Sequence, residues 1–418
     1  MNTATRMSGL VGRAMAMAVA VAVLALAGAA EAQVAVRAKT VHTMGPAGTI
    51  NEGVVVIVDG KVAAVGPAAS IRVPAGYRVL VAEVATPGLV DARSTVGLSG
   101  IYNTKHDSDQ LERSSPIQPE LRALDAYNPQ EKLVGYLRSF GVTTVHTGHA
   151  PGELISGQTI VVKTTGNTVE EALVASPAMV VATLDPSAQK DGGKSPGTRG
   201  KMMSMLRQEL IKAKEYQAKV EKAGADAAKR PGRDLRMEML GEVLAGEVPL
   251  AVTAHRAQDI ASVLRLREEF GIKVVLDGGA EAHTMIPEIK AAGVPVLLHP
   301  TMMRQNGEGE NASFATAAKL KAAGVPFALQ SGFEAYVPKT RVVLLEAGVA
   351  AGYGLAREDA LAAITIDAAR LIGQAARVGS LEVGKDGDVA LYNGDPLEYT
   401  THCTAVVIDG KVVFEGKR

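Results

Sequence analysis

Eight short runs of β-forming residues, most of them separated by helix-forming stretches, constrain this chain more than any other feature. They fall at 82–90, 141–145, 159–163, 179–183, 250–253, 273–276, 294–298 and 327–330. Strands alternating with helical segments of this length signal an α/β fold. No Gly-x-Gly-x-x-Gly follows the first run, which argues against a dinucleotide-binding sheet. Eight strands instead predict a TIM-like (β/α)8 barrel. The longest helical stretch, 201–223, is rich in Met, Leu, Lys, Glu and Ala, and its methionines read as packing residues against the barrel. Pro231-Gly232-Arg233-Asp234 separates it from the next helix.

The two ends of the chain repeat one design. Val54-Val55-Val56-Ile57-Val58 leads into Asp59-Gly60 and returns through Lys61-Val62-Ala63-Ala64-Val65. Ala405-Val406-Val407-Ile408 leads into Asp409-Gly410 and returns through Lys411-Val412-Val413-Phe414. Asp-Gly between β-branched runs is a hairpin signal. Two such hairpins at opposite ends predict a small β-sandwich built from both termini, residues 33–85 plus 376–418, flanking a barrel of residues 86–375. Residues 1–32 are expected to be a cleaved signal peptide. Arg6 and Arg13 precede a small-apolar run from Ala14 to Ala27, and Ala30-Glu31-Ala32 provides a small-x-small cleavage pattern. The run is short for a bilayer span, which needs roughly 20 residues. The expected location is therefore the periplasm. The single cysteine, Cys403, excludes an intramolecular disulfide and reads as structural.

Composition narrows the function classes. Lys plus Arg and Asp plus Glu both number 44, so there is no net charge to attract nucleic acid. Trp is absent and aromatics are 4%, which removes the usual platforms for stacking bases or sugars. In a barrel of this kind, function resides at the C-terminal ends of the strands. The residues expected there are Asp91, Arg93, His146, His149, Lys163, Asp185, His255, Asp277, His299 and Ser331.

The first of these ends reads Pro87-Gly88-Leu89-Val90-Asp91-Ala92-Arg93-Ser94-Thr95. With Gly141-Val142-Thr143-Thr144-Val145, Thr253-Ala254-His255-Arg256-Ala257 and the C-terminal stretch 378–389, it resembles the amidohydrolase superfamily, in particular its imidazolonepropionase-like branch. The resemblance covers nearly all of the chain after residue 32. It implies metal-assisted hydrolysis of C–N bonds in amides or peptides, with one or two divalent ions polarising a carbonyl and activating water. It also implies where ligands belong. The strand-1 histidines would stand at Arg93 and Thr95, the strand-5 histidine at His255, the strand-6 histidine at Gly278 and the strand-8 aspartate at Gly332. Only His255 matches. The bridging strand-4 ligand has no clear counterpart, with Lys163 and Asp185 as candidates. Arginine has no lone pair to offer a metal, and a catalytic zinc site needs about three protein ligands.

Two readings follow. In the first, the chain is a non-catalytic binding or partner subunit without a metal cofactor, with pocket candidates Arg93, Thr95, Lys163, His255, Asp277 and Glu281. If Arg93 is buried, it is then expected to pair with Asp277, with Glu281 as a further acidic candidate and His255 as a neighbour; the alternative is that Arg93 points out to solvent. In the second, it is an active C–N hydrolase holding zinc or another divalent metal on a rearranged set, His146, His149, His255 and Asp277. The expected partners are a small amide, peptide or amino-acid-like ligand and a second copy of the chain or a paralogue.

Overall fold

The computed structural model describes residues 33–102, 104–303, 305, 307–333 and 342–416. The expected signal peptide lies outside the described residues. Two sheets organise the chain. The first has seven strands: β1 Val34–His42, β2 Thr49–Val58, β3 Lys61–Pro67 and β4 Arg78–Pro87 from the N-terminal end, β14 Val389–Tyr392, β15 Cys403–Ile408 and β16 Lys411–Glu415 from the C-terminal end. Their order is β16-β15-β14-β4-β1-β2-β3. Both Asp-Gly turns form as expected, with positive φ at Asp59, Gly60, Asp409 and Gly410, the geometry that two-residue hairpins demand. The sheet curls until these turns meet: Gly387 N donates to Gly60 O, and Gly410 N donates to Gly387 O. Val36, Val55, Ile57, Leu80, Val389, Leu391 and Val407, drawn from both ends, form its buried core.

The second sheet is a nearly closed eight-strand barrel. It comprises β5 Leu89–Ser94, β6 Val142–Gly148, β7 Ile155–Lys163, β9 Val180–Thr183, β10 Leu250–Ala254, β11 Val274–Gly278, β12 Val296–Leu298 and β13 Phe327–Leu329. A short strand, β8 Leu173–Ala175, pairs with β7 outside the ring. Gly332 N donates to Arg93 O and brings the two ends of the ring together. The run at 82–90 is two strands rather than one. β4 belongs to the outer sheet, and the barrel begins only at Leu89. The helix Arg199–Ala223 starts at Thr198, whose hydroxyl accepts from Lys201 N, and buries Met202, Met203, Leu206, Leu210 and Ala213 at helical spacing. Its methionines do pack against the barrel core.

One barrel strand runs the other way. β7 is antiparallel to both β6 and β9, while β5–β6 and β9–β10–β11–β12–β13 are parallel. Only six residues, 149–154, separate β6 from β7. A parallel crossover needs a dozen or more, so this connection can only double back. The reversal corrects the placement of Lys163. Expected at the barrel mouth, it lies at the opposite end, facing the outer sheet. There its ammonium, 3% exposed, meets Asp388 at 2.5 Å, Asp386 at 3.0 Å and Asp409 at 3.5 Å. Lys61 and Arg377 complete the network around Asp386. Lys163 is thus a buried ionic joint between the two sheets.

Candidate functional site

Side chains on a strand point to one face every second residue. Ala251, Val275, Leu297 and Ala328 belong to one buried cluster within the barrel. Two residues further along each strand, in the same phase, stand Thr253, Asp277, His299 and Gln330. A polar layer therefore sits directly above an apolar one, at the strand ends. These four side chains and Arg93, Thr95 and His255 line a cavity of about 50 Å³.

Asp277 is 4% exposed and is held by two donors. Thr253 Oγ1 donates to Oδ2 at 2.7 Å, and Gln330 Nε2 donates to Oδ1 at 2.6 Å. Gln330 also donates to Leu297 O. The adjacent Ser331 holds Asp91, donating from its backbone N at 3.0 Å and from its hydroxyl at 2.5 Å. Burial pushes the Asp91 carboxyl up to about 7, against the opposing pull of the Ser331 bonds and of Arg93.

Arg93 is 2% exposed. Its two terminal nitrogens donate to the carbonyls of Ser94 and His149, and its Nε has no partner among the described residues. The expected Arg93–Asp277 ion pair does not form. The guanidinium feels the Asp277 charge first and that of Asp91 second, but burial outweighs both and lowers its pKa. Main-chain carbonyls, not a carboxylate, hold the arginine in place, one at the end of β5 and one just past the end of β6. Glu281 is not its partner either. That carboxylate accepts from Ala257 N at 2.7 Å, at the start of the helix Ala257–Phe270, and from Asn311 Nδ2 at 2.9 Å.

The histidines divide into two groups. His146 lies fully buried below the mouth, Nδ1 against Ala92 O at 2.7 Å and Nε2 against Thr159 Oγ1 at 2.6 Å. His149 is packed beside Gly157. Burial, then Arg93, lowers each to about 4, so both imidazoles are neutral near pH 7. His255 and His299 line the cavity itself. The His255 Nδ1 has no partner among the described residues, and the His299 Nδ1 lies 3.2 Å from Gln330 O. Each ring fills the space beside a glycine. A Cβ on Gly278 would stand 2.5 Å from the His255 ring, and one on Gly332 would stand 2.4 Å from the His299 ring. Both glycines also have positive φ, +89° and +69°, which L side chains avoid.

The structure thus brings together Arg93, Thr95, His255, Asp277 and Gly332, and leaves Lys163 and Glu281 elsewhere. Among the described residues, no three His, Cys, Asp or Glu side chains are grouped to hold a metal ion. Asp185 accepts from Ser187 N in a local turn. Burial pushes the Cys403 thiol up to about 12, which leaves it un-ionised and unreactive near neutrality. Sequence reading missed the roles of Gln330 and Thr253 as the donors fixing Asp277. Their in-phase position, two residues beyond an apolar strand residue, was the available signal.

Residues 220–414 match the Amidohydrolase family. An amidohydrolase from Thermotoga maritima MSB8 is 30% identical in sequence and superposes with a TM-score of 0.86, covering 92% of this chain and 100% of that one. The chain belongs to the amidohydrolase superfamily. Amidohydrolase tasK from Hapsidospora irregularis is 24% identical over 368 residues, 79% of this chain. The imidazolonepropionase of Syntrophobacter fumaroxidans (strain DSM 10017 / MPOB) is 38% identical over 82 residues, 19% of each chain. The match spans about a third of tasK, 36% of its length, and smaller shares of the imidazolonepropionases. As an amidohydrolase-superfamily protein, the chain presents its strand ends to one polar mouth, where Arg93 is a fixed cation.

Proposed function

We propose that this protein is an exported, non-catalytic amidohydrolase-superfamily member that binds a small ligand at the barrel mouth and pairs with a second chain. The observation that carries the reading is the state of positions 278 and 332. The resemblance expects a metal-binding histidine and aspartate there. The chain has glycines in left-handed backbone, with the His255 and His299 rings packed into the space those side chains would need. Arg93, at a third ligand position, brings a positive charge to the lining of the same cavity. A divalent ion does not fit this set. The rearranged set fares no better, because the His146 ring is already engaged at both nitrogens.

Elemental analysis of the purified protein tests the reading. The expected result is well under one equivalent of zinc, manganese or iron per chain, and no gain in thermal stability when these ions are added. About one equivalent of metal, lost in a His255→Ala variant, would overturn it.

A further inference from the structure

Arg93 and Asp277 are 2% and 4% exposed and line the same small cavity, yet they do not touch each other. Separated opposite charges out of water are costly unless something matches them. Neither charge is fully matched by the protein. The guanidinium spends its terminal nitrogens on two carbonyls and leaves Nε free. Each Asp277 oxygen accepts one side-chain hydrogen bond, and a carboxylate oxygen can accept two. Beside them the His255 Nδ1 is also without a partner among the described residues. The nearby imidazoles of His146 and His149 are neutral and add no charge.

We infer that the barrel mouth binds the zwitterionic head group of a free α-amino acid, its carboxylate on Arg93 Nε and His255, its ammonium on Asp277. The inference rests on the metal-free reading above and names the ligand class. Charge is its first support. A simple carboxylate would match Arg93 and meet the negative Asp277, and a simple amine would do the reverse. A zwitterion matches both and keeps the site neutral. Size is the second support. A cavity of about 50 Å³ has room for a head group, not for a peptide. Pro151 and Phe333 supply its apolar lining, against which an aliphatic side chain can lie.

The test is isothermal calorimetry and thermal shift on the purified chain with L-alanine, propionate and ethylamine. Alanine is expected to bind and to raise the melting temperature. Propionate and ethylamine, each lacking one charge, should bind at least about tenfold more weakly, a loss of roughly 1.4 kcal/mol. In Asp277→Asn the preference for alanine over propionate should disappear. The comparison of the three compounds on wild type stands alone if that variant does not fold. Absence of alanine binding at 10-fold above ~1 mM, or propionate binding as well as alanine, overturns the inference. Repeating the titration with EDTA separates the two readings. Bound metal with alanine binding abolished by EDTA sinks both. Bound metal with alanine binding unchanged sinks only the metal-free proposal.

Discussion

Two glycines decide what the mouth can be. Gly278 and Gly332 are each compatible with the site only because they lack a Cβ, and each faces an imidazole. Gly278→Ala is expected to cost roughly 2–4 kcal/mol, part from the ring overlap and part from the left-handed backbone. Adding His255→Ala should recover the first part and not the second. Urea denaturation of the two single variants and the double variant measures that coupling. Strict additivity would mean that the ring is not what excludes a side chain at 278. The histidines below the mouth set a pH response. His146 and His149 have folded pKa values of about 4, below the 6.5 of an unfolded histidine. The unfolded chain therefore binds more protons between pH 4 and 6.5, and stability rises with pH across that window. Asp91 acts oppositely. Its folded value of about 7 lies above its unfolded one, so the folded chain holds the extra proton. Two histidines against one aspartate leave a net rise. Denaturation midpoints at pH 4.5 and 6.5 should differ in that direction, and His149→Gln should shrink the difference. Equal midpoints would show that the imidazoles are not buried as neutral groups. At this scale the sequence singled out Arg93, Thr95, Gly278 and Gly332, since they stand in recognisable contexts, and the structure places all four around one cavity. It did not reveal what Arg93 touches, because main-chain carbonyls leave no mark on residue identity.

The elements were legible in number and not in direction. All eight barrel strands lie where β-forming runs occur, with the first beginning later than its run because Pro87-Gly88 hands the chain from one sheet to the other. Hydrophobic pattern carries no polarity, so nothing in 159–163 itself tells that β7 runs backwards. The six-residue connection from β6 requires the reversal, but it shows only once the strands are seen to extend to Gly148 and back to Ile155. The runs at 141–145 and 159–163 leave a gap long enough for a parallel crossover. The reversal moves Lys163 from the mouth to the joint with the outer sheet, where three aspartates surround it. The pKa of Lys163 is raised, burial being outweighed by Asp388, Asp409 and Asp386. Lys163→Met should destabilise the fold by on the order of 3–5 kcal/mol, because it strands buried carboxylates. It should leave ligand binding per folded molecule unchanged, since the joint and the mouth are at opposite ends of the barrel. A loss of binding in a fully folded Lys163→Met sample would contradict this separation.

On the scale of the whole molecule, the chain folds by returning to its own beginning. The hairpins at Asp59-Gly60 and Asp409-Gly410 share no sequence neighbourhood, yet they pack turn to turn, and their strands fill one core. That closure was readable because the same turn chemistry occurs twice. The occupant of the mouth and any second chain were not, since recognition depends on surfaces that composition does not order. The start of the fold also bears on export. Gln33 O accepts from Arg78 N, and β1 begins at Val34, which is 2% exposed. Among the described residues, the first hydrogen bond of the sheet thus uses the residue that follows the proposed Ala30-Glu31-Ala32 cleavage pattern. Cleavage there would remove the apolar segment and leave every described strand residue in place. The secreted form is accordingly expected to begin at Gln33 and to be as stable as the full-length chain. Intact-mass measurement on the periplasmic fraction checks the terminus, and melting of the two forms checks the equivalence. A chain that retains Met1, or one recovered only with membranes, would mark residues 1–32 as an anchor and remove export by cleavage from the proposed function.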